Sequence, residues 1–265
     1  MTGLLGIDAL VDVMTGQLEQ LRERRDPRRF FHATYLRTTE AVRAELSAGG
    51  FDDPAWVERW DVAFARFYLD ALQADLSGGS VPRPWEVAFS AADDRAMPPL
   101  QHVLLGMNAH INYDLPQAIL AVITDADFGD ASLMARREAD HRHIDHVLAT
   151  LVDRRDGLPD APPSRLTVRD RMLAPANRLA TKRFLTEARA KVWANSRVLA
   201  GARRRDPVGY TQRLAELERL SAARVADLTR PGSVLLRLAA RGFGVILPAD
   251  SDLQHGTRTD QEGGP

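Results

Sequence analysis

Two short patterns carry the chemistry most open to the eye in this chain: His110-Ile-Asn-Tyr-Asp114 and His141-Arg-His-Ile-Asp145. Residues four apart on a helix share a face, with Cβ atoms about 5–6 Å apart. An imidazole nitrogen and a carboxylate oxygen held that way can bind one divalent cation together. Two such helices facing each other would supply four ligands, as in other helical-bundle metal sites. A donor set without thiolate suits Zn, Fe or Mn. A cation with an open position would bring a bound water's pKa to about 7, which gives hydrolysis. His110, Asp114, His141 and Asp145 are therefore the candidate metal ligands, and the first expectation is a metal-assisted hydrolase acting on a small molecule. No organic cofactor is expected. The alternative is a metal-free helical protein enclosing a small apolar molecule. It would be a binding module, or a cyclase or isomerase using His110 and Asp114 as a catalytic acid–base pair.

The plainer readings of these residues are structural. A His–Asp pair at this spacing is an ordinary helix contact worth a few tenths of a kcal/mol. Asp114 could also cap a helix beginning near Pro116, whose missing donor bends or ends whatever precedes it. Position favours chemistry. His110 follows Val103 and Met107 on an apolar face, and His141 precedes Ile144 and Leu148 on another. Capping does not account for the series Asn108, His110, Asn112. His143, about 200° round the helix from His141, belongs on the solvent side. Phe31, Tyr35 and Thr38 share one face and read as core, and Arg189 and Trp193 are spaced to stack as a cation–π pair.

These residues need helices to position them, and the sequence reads as helix after helix. Three Asp-Pro pairs, at 26–27, 53–54 and 206–207, place a capping carboxylate before a proline that tolerates the first helical position. After Pro54, the residues Val57, Trp60, Phe64, Phe67 and Ala71 form an apolar stripe at helical period. Strand alternation and hairpin turns are scarce. The spacing predicts helices over 4–24, 27–48, 54–76, 84–93, 98–114, 116–125, 131–154, 167–204 (bent near Pro175), 207–228 and 232–242. The expected fold is all-α, a multi-helix bundle filling a single domain over 1–248. Residues 156–164 read as a surface loop and 249–265 as a polar, disordered tail.

Composition bounds the function. The chain has 265 residues and a formal net charge of −1, with no cysteine. The absence of thiols rules out disulfides, zinc fingers, iron–sulfur clusters and thiol nucleophiles. The charge balance lacks the basic excess of an electrostatic nucleic-acid binder, so no nucleic-acid partner is expected. Asp8 and Asp12 interrupt the N-terminal apolar run, unlike a secretory signal. No stretch of 18 apolar residues suggests a membrane span. The expected location is cytoplasmic, and the oligomeric state stays open.

The stretch Leu104 to Gln117, followed about thirty residues later by His141 to Asp145, resembles the paired helices of the zinc-dependent phospholipase C and P1-type nuclease superfamily. Leu105-Gly106, His110, Asp114, Gln117, His141 and Asp145 carry the resemblance. It implies zinc ligation by the two His–Asp pairs and a phosphoester substrate. The superfamily places a further ligand histidine where this chain has Ala118, Ile119 and Leu120. Its upstream ligands have only His32, Asp61 and Asp70 as counterparts here. The whole chain resembles an uncharacterised all-helical family of high-GC bacteria, which implies the fold and no activity.

Overall fold

The computed structural model describes residues 6–153, 168–230 and 234–248. The loop expected at 156–164 and the tail expected at 249–265 lie outside these residues. The described chain is all-α, without a strand. Its helices are α1 (Ile7–Glu23), α2 (Arg29–Ser47), α3 (Pro54–Leu76), α4 (Arg83–Ser90), α5 (Pro99–Ala109), α6 (Leu115–Val122), α7 (Ala131–Asp153), α8 (Val168–Arg205), α9 (Pro207–Thr229) and α10 (Val234–Arg241). A π-helical segment, His110–Asp114, joins α5 to α6.

Two of the three Asp-Pro pairs act as expected. Asp53 accepts from the Trp56 N–H at 3.1 Å and Asp206 from the Gly209 N–H at 2.7 Å, starting α3 and α9. The Asp26-Pro27 pair instead forms the turn before α2. Asp26 accepts from the Arg28 N–H at 2.9 Å and pairs with its guanidinium, and Arg25 sits at φ 51 just upstream. The helix therefore begins two residues later than the pattern predicts.

Pro116 neither ends nor caps anything. Asp114 has helical angles (φ −80, ψ −38) and makes no capping bond. The chain runs from α5 through the π segment into α6 as one helical rod. The wider π turn is a standard way to absorb a defect in the i→i−4 ladder. It lies just where proline removes a donor.

The core is aromatic at its centre. Phe31 and Tyr35 from α2, Trp56, Trp60, Phe64 and Tyr68 from α3, and Trp85 and Phe89 from α4 are all buried. Helices α2 and α5 approach closely at Gly106, where a Cβ would lie 2.3 Å from the Phe31 ring. Helix α2 packs against both α5 and α7, and α3 touches both the π segment and α7.

After α10 the chain extends across the bundle, and two asparagines hold it there. Asn112 accepts from the Val245 N–H at 3.1 Å and donates to the Phe243 carbonyl at 3.2 Å. Asn195 accepts from the Leu247 N–H at 2.8 Å and donates to the Val245 carbonyl at 3.0 Å. Side-chain amides here replace the partner that a neighbouring strand would give. Phe243, Val245 and Leu247 are buried by this arrangement.

Candidate functional site

His110 and Asp114 meet in the deepest part of the bundle, both 1–2 % exposed. The π segment places them with His110 Nδ1 2.8 Å from Asp114 Oδ2. The same oxygen accepts from Trp85 Nε1 at 2.8 Å. The imidazole lies flat on Phe64, with ring centroids 3.6 Å apart and planes 4° apart, and Tyr35 meets it edge-on at 4.5 Å. One face, one edge and one nitrogen of the ring are thus fixed. The other nitrogen, Nε2, is buried and has no hydrogen-bond partner.

His110 opens onto a cavity of about 80 Å³ between α2, α3, the π segment, α7 and α8. Its walls are mostly apolar: Phe31, Trp60, Phe64, Met107, Ile111 and Ile144 are among them. Thr34, Tyr35, Thr38, Asp61 and Arg189 supply the remaining polar groups. Five buried polar atoms on these residues lack a hydrogen-bond partner: His110 Nε2, the Tyr35 hydroxyl, Asp61 Oδ2, Trp60 Nε1 and Arg189 Nε. Buried polar atoms are normally satisfied, so five at one small cavity need an explanation.

Electrostatics follow from burial. Desolvation holds His110 well below the usual histidine range and pushes Asp114 well above the carboxylate range, against the pull of the Trp85 bond. Both effects favour uncharged forms. Asp61 is pushed up to about 7 by burial, with the Arg189 guanidinium working the other way. Tyr35 rises because it is buried and faces Asp61 and Asp114.

His141 and Asp145 lie elsewhere. His141 is buried between Trp60 and Trp193, 5.3 Å from each ring centre. Burial, followed by the nearby Arg189 charge, holds it well below the usual range. Asp145 forms an ion pair with Arg189 Nε at 2.5 Å, off the line a hydrogen bond would need. Another guanidinium nitrogen of Arg189 donates to the His141 carbonyl. Neither His141 nor Asp145 lines the cavity. The expected convergence of four ligands is therefore not assembled: among the described residues, no three His, Asp or Glu side chains group as a metal site. Each histidine instead packs against its own aromatic ring on α3. His141 takes Trp60 and His110 takes Phe64, one helical turn apart.

The other sequence candidates resolve simply. Asn108 donates to the Leu104 carbonyl, and Asn112 holds the C-terminal segment, so both are structural. His32 bridges the Tyr68 hydroxyl and the Met14 carbonyl, and burial lowers it to about 4. His143 is half-buried against Glu45 at 2.7 Å rather than solvated. Asp70 is exposed. Arg189 lies over Trp60, at 5.6 Å, and not over Trp193 as its spacing suggested. Phe31, Tyr35 and Thr38, read as core, line the cavity.

Sequence reasoning reached Asp61 only as a counterpart of the superfamily's upstream ligands, and missed Trp85 and Arg189 as site residues. For Asp61 a signal existed: it falls in helical register with Val57, Phe64 and Tyr68 on the buried face. Trp85 and Arg189 carried none, because only tertiary packing brings them here.

The family model described as a family of unknown function, DUF5995, matches residues 7–231. No curated protein and no solved structure matches the chain. The chain belongs to the DUF5995 family.

Proposed function

We propose that this member of the DUF5995 family encloses a small, predominantly apolar molecule in the cavity and exchanges a proton with it through His110. The observation that carries the reading is the bare, buried Nε2 of an imidazole whose other nitrogen is anchored on Asp114. The step starts from the ionised form of Asp114: when Nε2 takes a proton from a bound molecule, the Nδ1 proton passes to the Asp114 carboxylate and the negative charge passes to the guest. The pair ends as a neutral acid and a neutral imidazole, the forms that burial favours on both sides. The apolar walls exclude water and keep the exchange between the protein and its guest. This is the chemistry of an isomerase or cyclase step.

A metal-assisted hydrolase remains the second reading, because His110 Nε2 and an Asp61 oxygen are unpartnered donors at the same cavity. There Zn, Fe or Mn would supply an activated water.

A thermal-shift screen of small aromatic and branched aliphatic compounds, run beside Zn, Mn, Fe and Ni salts, separates the readings. The proposal expects organic hits that Ile111→Trp abolishes by filling the cavity and that His143→Ala leaves intact. Stabilisation by a metal, lost in His110→Ala and unaccompanied by organic hits, would replace it with the hydrolase reading.

A further inference from the structure

We infer that the guest is an organic ammonium ion: an amine whose charged head sits against Asp61 and whose apolar body fills the aromatic end of the cavity. The inference rests on the enclosing-cavity reading and adds a charge to its ligand. The cavity wall holds two ionisable groups of opposite sign, Asp61 and Arg189. They differ in counter-charge: Arg189 has a second carboxylate, and among the described residues Asp61 has no cation besides Arg189. Arg189 has its counter-charge behind it in the Asp145 carboxylate, and one of its terminal nitrogens donates to the His141 carbonyl, although its Nε makes no hydrogen bond. Asp61, 8 % exposed, has an oxygen with no hydrogen-bond partner. A bound anion would have to displace Arg189's existing partners while lying beside the Asp61 carboxyl. A bound cation completes what is missing.

Two of the other unpartnered atoms, the Tyr35 hydroxyl and His110 Nε2, fit the same guest; the Trp60 and Arg189 N–H groups do not bind its head. An ammonium head carries several N–H donors. Asp61 Oδ2 and the Tyr35 hydroxyl can accept, as can His110 Nε2 when its proton is on Nδ1. The titratable and charged groups that share the cavity with Asp61 are Tyr35 of α2, His110 of the π segment and Arg189 of α8, with Asp114 behind His110 and Asp145 behind Arg189. Among them only Arg189 is a permanent cation, and it already has a counter-charge. The remaining walls, Trp60, Phe64, Tyr35 and Phe31, present ring faces and edges, and aromatic faces attract organic cations.

The test uses three probes of one shape: 2-phenylethylamine, 2-phenylethanol and phenylacetate. Each is titrated calorimetrically into the full-length protein in mildly alkaline buffer. The amine is expected to bind about tenfold or more tighter than the alcohol, the size of one charge-assisted hydrogen-bonded contact. In Asp61→Asn that preference should fall below about threefold, while alcohol binding stays within about threefold of wild type. Asparagine matches the shape of Asp61 and removes a buried charge, so the variant should fold, and the three-probe comparison on wild type stands without it. Equal binding of amine and alcohol, or tighter binding of phenylacetate, overturns the ammonium assignment and leaves the cavity reading in place. Failure of all three probes to bind overturns both.

Discussion

At the scale of single residues, the unpartnered Asp61 has a measurable cost. Its carboxyl titrates at about 7 in the folded protein against a usual value of 3.8. Between those values the native state holds a proton that the unfolded chain releases. Stability contributed by the protonated group is therefore fully present below the lower value and is lost as pH rises through about 7. At 1.36 kcal/mol per pH unit, the loss attributable to this one group is at most about 4 kcal/mol. Asp61→Asn should match wild type in urea unfolding near pH 4 and exceed it increasingly up to about pH 7, with the gap constant beyond. A gap that does not change with pH would show that Asp61 ionises as an exposed acid does. This residue was legible in part. Its register among Val57, Phe64 and Tyr68 marks a buried acid, but the stripe through Val57, Trp60, Phe64 and Phe67 draws the eye to apolar side chains alone. His110 and Asp114 were legible as a pair because their spacing is local. What the pair faces depends on α2, α3 and α4, far away in the chain.

At the scale of elements, the boundaries written in local chemistry were readable and those set by packing were not. Pro54 to Leu76 is α3 as the periodicity predicts, because Asp53 caps it locally. The same dipeptide at 26–27 fails as a helix start because Asp26 spends its carboxylate on Arg28. Pro116 reads as a terminus, yet the π segment carries the helix past it and turns His110 and Asp114 toward Trp85 and the cavity. The crossing of α2 and α5 gives a test at this scale. Alanine in place of a helical glycine ordinarily stabilises by about 0.5–1 kcal/mol. At Gly106 the new methyl would lie 2.3 Å from Phe31, at the root of its ring, where no flexible end can yield. Gly106→Ala should instead destabilise by about 1–3 kcal/mol, as overpacking does. Because Phe31 also lines the cavity, the variant should bind the cavity's ligands more weakly. Chemical unfolding and the probe titrations measure the two effects separately.

At the scale of the whole molecule, the helical class was evident from periodicity, but the neighbours of each helix were not. The sequence expectation placed α5 and α7 side by side so that two His–Asp pairs could meet. In the bundle each packs on α2, and α3 supplies a separate aromatic shelf for each histidine. The tertiary arrangement thus divides one expected site into two environments: a cavity around His110 and a closed ion-pair cluster behind Arg189. Within the described residues, no helix is long and apolar enough to cross a membrane. The segment after α10 adds a consequence of its own. Its main-chain amides belong to neither helix nor sheet, so their exchange with deuterium would ordinarily finish within seconds. Here the Val245 and Leu247 amides each answer to one asparagine, Asn112 or Asn195. They should exchange slowly and with similar rates, since Val245 is gripped by both asparagines at once. A single Asn195→Ala change should speed both together, releasing the ribbon as one unit rather than residue by residue.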